Sequence, residues 1–278
     1  MGHYRLTTLL REIFMFCVAM VLLSPFYLIA VMTLKPTREI MTQPATALPL
    51  KPTLQNFSTV WKTAGSRSIE NGLMHSAIIT SGSVALLVLF GSLAAYVVAR
   101  RPGPISSLAN ALFLVGIILP VQLGLIPIYI VMRSLGLVGT DLGMIIVYAG
   151  LLMPLACFLY SGYIRELPKD YEEAAAIDGA APWQSFFLIV FPLLAPATGT
   201  VAILTGLIIW NEFFTALIFL GGSRVVTLPV AVYNYVGELG SRWNLIFAAV
   251  IISMIPMLII YFFAQKQFLR GFGGGLKG

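Results

Sequence analysis

Residues 165–183 read Arg165-Glu-Leu-Pro-Lys-Asp-Tyr-Glu-Glu-Ala-Ala-Ala-Ile-Asp-Gly-Ala-Ala-Pro-Trp183, between two long apolar runs. Pro168 suits the first turn of a helix, where its missing N–H would have had no partner. Asp170, Glu172 and Glu173 crowd the N-terminal turns, where the helix dipole favours anions. Ala174-Ala175-Ala176 is a strong helix-forming run. Gly179 is a natural C-terminal cap. Pro182 then opens a second short helix through Trp183 and Phe186 towards Pro192. The stretch is therefore expected to form a helix, a glycine turn and another helix. Its alanines would let a second surface approach closely, and its carboxylates could pair with cations there. A hairpin lying on lipid headgroups fits the same residues.

Outward from this hairpin the chain is strongly apolar. Of its 278 residues, 59% are hydrophobic and 10% charged, against about 25% charged in a soluble domain. One soluble core of this size could not hide so much apolar surface. Six stretches, roughly 13–33, 75–99, 106–132, 143–164, 194–219 and 245–263, each reach on the order of 28–40 Å as helices, enough for a hydrocarbon core of about 30 Å. Backbone groups cannot be left unpaired in lipid, so these stretches are helices. The alternating segments of a membrane β-barrel are absent. The expected fold class is an all-α integral membrane protein with six transmembrane helices. The run 13–33 is too long for a signal peptide and reads as a retained first span.

Pro25, Pro120, Pro127, Pro154, Pro196 and Pro256 lie within or at the ends of these runs. Each frees a backbone carbonyl and kinks its helix. Gly91, Ala95 and Ala99 form a small-xxx-small row, which permits close helix contact within the chain. In the polar segment 34–74, Leu54, Phe57 and Trp61 fall at helical spacing, with Trp61 suited to a membrane interface. Segment 220–243 holds Gly221-Gly222 and several aromatics. Trp210, Asn211 and Glu212 sit near the end of the fifth run. A carboxylate there either lines a pathway or gate, or belongs to a hydrogen-bonded packing cluster.

Charge excludes other classes. The net charge is +6, but the 17 Lys and Arg are spread thinly between apolar runs. No basic groove for nucleic acid follows from that. Cys17 and Cys157 lie in apolar runs and read as buried small hydrophobes. His3 and His75 lack metal-ligand partners by spacing, so no metal site is expected. No H-E-x-x-H or G-x-S-x-G motif is present, so the chain is not read as an enzyme. A Walker A motif is also absent. The tail Gly271-Phe-Gly-Gly-Gly-Leu-Lys277 only imitates one, with Leu276 at a Gly position and Gly278 at the Ser/Thr position. Any ATP must be bound by another chain. Basic residues divide almost evenly between the two membrane sides, so the positive-inside rule does not decide orientation. The Arg100-Arg101 pair and the basic tail favour cytoplasmic termini.

Glu173-Ala174-Ala175, then Gly179, then nine residues, then Ile189-Val190-Phe191-Pro192 resembles the EAA loop of binding-protein-dependent ABC importer permeases, E-A-A-x3-G-x9-I-x-L-P. Phe191 stands where Leu is usual. Asp178 and Ala180 complete the extended D-G-A form. Leu34-Lys35-Pro36-Thr37, Leu119-Pro120-Val121-Gln122 with Ile126-Pro127, Leu135-Gly-Leu-Val-Gly-Thr140, Trp210-Asn-Glu-Phe213 and the tail are similar to the MetI-like carbohydrate-uptake subgroup that includes the maltose permease subunit MalG.

The resemblance implies a single permease domain, 1–278: a first span and outer loop (1–70), a five-helix core (71–264) and a cytoplasmic tail (265–278). It implies a multi-pass protein of a bacterial or archaeal cytoplasmic membrane, with 165–192 and both termini cytoplasmic. Its partners would be a second permease, two ATPase subunits that hold the ATP and Mg, an external solute-binding protein and a sugar, with no cofactor of its own. Glu173 would face a basic group on the ATPase, Ala174 and Ala175 would enter its groove, and Gly179 would make the turn beside Asp178. Transport would proceed by alternating access. A permease of the same family for a non-sugar solute is the alternative, and after it a self-contained secondary carrier, for which paired broken helices in two related halves would be expected.

Overall fold

Long apolar runs without breakers become helices, and the breakers set their ends. A computed structural model describes residues 6–63, 65, 68–236 and 242–273, and in these it is helical without strands. The helices are α1 (Leu6–Leu34), α2 (Thr37–Thr42), α3 (Gln55–Lys62), α4 (Ile69–Arg100), α5 (Pro104–Ile118), α6 (Leu125–Ser134), α7 (Asp141–Glu166), α8 (Asp170–Ile177), α9 (Pro182–Leu193), α10 (Ala195–Asn211), α11 (Phe214–Leu220), α12 (Leu228–Tyr233) and α13 (Trp243–Gly273). Four helices, α1, α4, α7 and the first 20 residues of α13, are long and apolar enough to cross a membrane. Two bent pairs, α5 with Val121–Ser134 and α9 with α10, raise the number to as many as six.

Two of the expected spans are therefore not continuous. The run 106–132 breaks at Leu119-Pro120 with a bend of 101°. Leu119 is extended, as the residue before a proline prefers. The run 194–219 ends its helix at Asn211, because Glu212 turns extended before α11 begins. The C-terminal helix, conversely, continues beyond 263 to Gly273. His3 and residues 274–278 of the glycine-rich tail lie outside the described residues.

The chain forms two compact units, Met1–Glu70 with Ala231–Ile255, and Asn71–Val230 with Pro256–Gly278. In the first, α1 exposes its apolar side chains all round from Leu9 to Tyr27, Cys17 included, which corrects the expectation that this thiol is buried, and only its last turns, at Val31 and Met32, are covered. The segment after α1 is a hydrogen-bonded cap. Asn56 Nδ2 donates to Thr33 O (2.6 Å) and Lys35 O (2.9 Å), and Asn244 Nδ2 donates to Asn56 Oδ1 (2.8 Å). Lys35 is fully buried and donates from Nζ to Pro44 O at 2.7 Å. The buried face of α3 is Asn56 and Val60, while Leu54 and Trp61 are exposed. The apolar stripe read from the sequence is thus the outer face of that helix, because the inner face serves hydrogen bonding.

In the second unit α4 lies along α7. Its turn Leu87–Gly91 widens to a π-helix, which leaves backbone groups without their usual partners. Cys157 is buried and its thiol donates to Gly91 O at 3.8 Å. A Cβ on Gly91 would stand 3.0 Å from the Cβ of Ala156, so the glycine of the small-residue row allows the two backbones to approach. In lipid this close dispersion contact, rather than water exclusion, holds helices together. Tyr160 on α7 donates to Thr198 Oγ1 on α10 at 3.0 Å. These contacts anchor the two helices that flank the polar hairpin.

Candidate functional site

The hairpin forms as its residues dictate. Helix α8 starts with Asp170, Glu172 and Glu173 in its first turn. Lys169 is the capping position, so Pro168 stands just outside the helix rather than in its first turn. At the other end Gly179 N–H donates to Ala176 O (3.1 Å) and Ala180 N–H to Ala175 O (2.9 Å). That pair of bonds is a Schellman cap, which needs a left-handed residue at its centre. Gly179 supplies it with φ +82°. Pro182 opens α9, and Ala181 N–H donates to Gln184 Oε1 at 2.8 Å.

The hairpin presents an outer face of unusual character. Ile177 is 86% exposed, Trp183 64% and Tyr171 52%. Glu173, Ala174, Asp178 and Gly179 share this exposure. Large apolar groups with carboxylates beside them, carried on a short helix and turn, suit contact with another protein. Ala175 does not belong to that face. It is buried within the chain, three residues after the inward-turned Glu172 and so on the same face of α8. Of the two alanines expected to enter a partner's groove, Ala174 therefore lies on the exposed face with Ile177, and Ala175 does not.

The inner face is held by ionic bonds. Arg100 Nε donates to Glu172 Oε1 at 2.7 Å, and Tyr96 Oη donates to Glu172 Oε2 at 2.8 Å. Arg100 Nη2 also donates to Leu167 O at 3.0 Å, at the end of α7. Phe186 on α9 is buried and meets the Tyr96 ring with centroids 5.1 Å apart. Tyr96, and the tie of Arg100 to Glu172, were not among the site residues expected from the sequence. Their i, i+4 spacing at the end of an apolar run, facing a doubled Glu172-Glu173, is the signal that could have found them.

A second feature lies along α4, α10 and the later part of α13. A half-open groove of about 710 Å³ is lined by Thr80, Ser81, Val84, Gly206, Trp210 and Tyr261, among others. Thr80 Oγ1, in this wall, is a buried hydroxyl without a hydrogen-bond partner among the described residues. Trp210 is buried, and Asn211 is exposed and donates back to Leu207 O at 2.8 Å. Glu212 accepts from Tyr148 Oη (2.8 Å) and from the backbone N–H of Thr215 (2.9 Å) and Ala216 (3.2 Å). Its carboxylate therefore starts α11, as an acceptor at a helix N-terminus does. His75 Nδ1 lies 2.9 Å from Asp141 Oδ1, at the start of α7. Among the described residues no cluster of His, Cys, Asp and Glu could hold a metal ion.

Residues 87–273, which contain the hairpin and the α10 side of the groove, match the family model of the binding-protein-dependent transport system inner membrane component. The chain belongs to this family. A transport component of this kind is not an enzyme. The permease is 37% identical to the melibiose/raffinose/stachyose import permease protein MelC of Bacillus subtilis, over 99% of this chain and 97% of that protein. It is 33% identical to the multiple sugar-binding transport system permease protein MsmG of Streptococcus mutans, over 91% of each. The diacetylchitobiose uptake system permease protein NgcG of Streptomyces coelicolor is 30% identical over 90% of this chain and 82% of its own. A chain from the crystal structure of a bacterial ABC transporter that imports the acidic polysaccharide alginate has the same fold. It superposes with a TM-score of 0.81 at 20% identity, over 96% of this chain and 99% of that one. The sequence resemblance to importer permeases and the all-helical fold thus agree with the comparisons.

Proposed function

We propose that this permease carries a sugar, a di- or oligosaccharide or a derivative of one, across the cytoplasmic membrane of its cell as part of an ATP-binding-cassette importer. The observation that carries the reading is the exposed apolar and acidic face of the hairpin, Ile177 and Trp183 beside Glu173. It fits a groove on a separate ATPase that binds the ATP and Mg. Residues 165–192 are then cytoplasmic, as are both termini, and each bent helix pair belongs to one of six spans. The 73° bend between α9 and α10 separates the hairpin's second arm from the span that follows it.

A second permease would complete the pathway, two ATPase subunits would drive it, and an external binding protein would deliver the solute. The sugar class is supported by the imports named for MelC and MsmG. Trp210 and Asn211 would face the pathway. A Trp ring offers an apolar platform, and the Thr80 hydroxyl in the groove wall a hydrogen-bond partner for a sugar hydroxyl. Glu212 would hold the break that shapes this wall, acting through its three donors rather than as a moving gate. ATP closure of the ATPases would move the hairpins, and the helices would alternate their access.

The test is uptake of labelled melibiose and raffinose in cells lacking this chain, with and without its gene restored. Restored, binding-protein-dependent uptake of either sugar supports the reading. Uptake of neither, with restored uptake of amino acids or peptides, would replace the sugar by another solute.

A further inference from the structure

The partner-facing carboxylate, Glu173, and its neighbour Glu172 do different work. Glu172 is turned inward to Arg100 and Tyr96, which sit one helical turn apart at the end of α4. The Arg100 and Glu172 side chains are only 9% and 17% exposed. An ion pair so far out of water is costly to break from one side, because the remaining charge stays desolvated. Arg100 also holds Leu167 O, where α7 ends and the hairpin begins. Tyr96 is gripped twice: its hydroxyl by α8 through Glu172, its ring by α9 through Phe186. Both arms of the hairpin therefore meet α4 at one place. Nine residues before Arg100, α4 passes through the π-helical turn Leu87–Gly91, fixed against Ala156 and Cys157 of α7.

We propose that Glu172, Arg100 and Tyr96 form a clamp that transmits movement of the docked hairpin to the end of α4, so that they are positioning residues for transport rather than part of the ATPase contact. The inference rests on the hairpin being the ATPase-docking element. A load on α8 reaches α4 directly through a bidentate carboxylate, rather than around the chain through α7. The π-helical turn is the place where α4 can bend in response, since its hydrogen-bond ladder is already interrupted there.

The test uses the complete importer in proteoliposomes and reads two quantities: sugar uptake and ATP hydrolysis stimulated by the binding protein. Glu172→Gln, which keeps shape, and Arg100→Ala should each lower uptake per ATP hydrolysed about tenfold, with the ATPase still bound. Tyr96→Phe should lower it less. The double variant should be no worse than the worse single, since residues acting as one unit are not additive. An unchanged ratio in variants that retain the ATPase would overturn the clamp alone, as would losses that multiply in the double variant. A wild-type chain that fails to hold the ATPase would overturn the docking reading and the clamp with it.

Discussion

At the scale of the residue, two positions carry separable consequences. Gly179 has φ +82° at the centre of the cap, and nothing lies within 4 Å of where its Cβ would stand. Strain, not crowding, is then the penalty for a side chain, about 1–3 kcal/mol for a β-branched residue held there. Gly179→Val should leave the chain folded and inserted while cutting uptake by roughly tenfold, the equivalent of about 1.4 kcal/mol of misplaced hairpin; Gly179→Asn, which tolerates this region, should retain most of it. Normal uptake by Gly179→Val would show that the turn does not set the hairpin's aim. Glu212 is different, because its effect is on stability. Glu212→Ala removes the acceptor for the N–H groups of Thr215 and Ala216 and the partner of Tyr148. A loss of about 1–2 kcal/mol is expected for such a part-buried network, seen as a lower unfolding temperature in detergent. A change of sugar preference without a change in stability would argue for a gating role instead. Glu212 was visible in the sequence as a carboxylate out of place, but its partners Tyr148 and Thr215 are 64 residues before and three after it. No spacing rule joins Tyr148 to it.

At the scale of the element, helix starts and breaks decide the architecture. Thr140 caps α7, taking the N–H of Gly143 on its Oγ1 at 3.0 Å while donating to Leu137 O at 2.7 Å. A Cβ on Gly143 would stand 2.0 Å from Leu137 O. Backbone cannot rotate away as a side chain can, so Gly143→Ala should unmake this start and lower the yield of folded chain several-fold, measured by fluorescence-detected gel filtration. A full yield would show that the turn at 137–140 adapts. Long apolar runs and the hairpin's two helices were legible, since periodicity, capping glycine and proline all agree there. The break at Leu119-Pro120 was legible as a proline and was nevertheless read through as one span, because hydropathy does not record direction. The buried side of α3 was not legible for a related reason: Asn56 faces inward to satisfy Thr33 O and Lys35 O, and a rule based on apolar spacing cannot see a polar interior.

At the scale of the whole molecule, the chain builds its groove and its exposed hairpin face by different means. The groove wall is built from small and apolar residues on long helices, and the hairpin face from two short helices joined by a glycine turn. Membership of the transport family agrees with what the EAA spacing implied, and the sugar-named relatives agree with what the Leu34–Thr37 and Trp210–Phe213 motifs implied. The clamp was not legible, because Glu172 and Arg100 are 72 residues apart and only the fold brings them together. ATP hydrolysis should be absent from a clean preparation of this chain alone; hydrolysis that follows the chain through successive columns would contradict the division of labour. The central claim is that the outer face of the hairpin docks a separate ATPase. It is tested most directly by purifying the tagged chain in mild detergent and weighing, by quantitative mass spectrometry, what comes with it. A second permease and an ATPase are expected in fixed ratio with the wild-type chain, and selective loss of the ATPase with Ile177→Asp. A chain that purifies alone, or an ATPase that stays bound to Ile177→Asp in full amount, would contradict it.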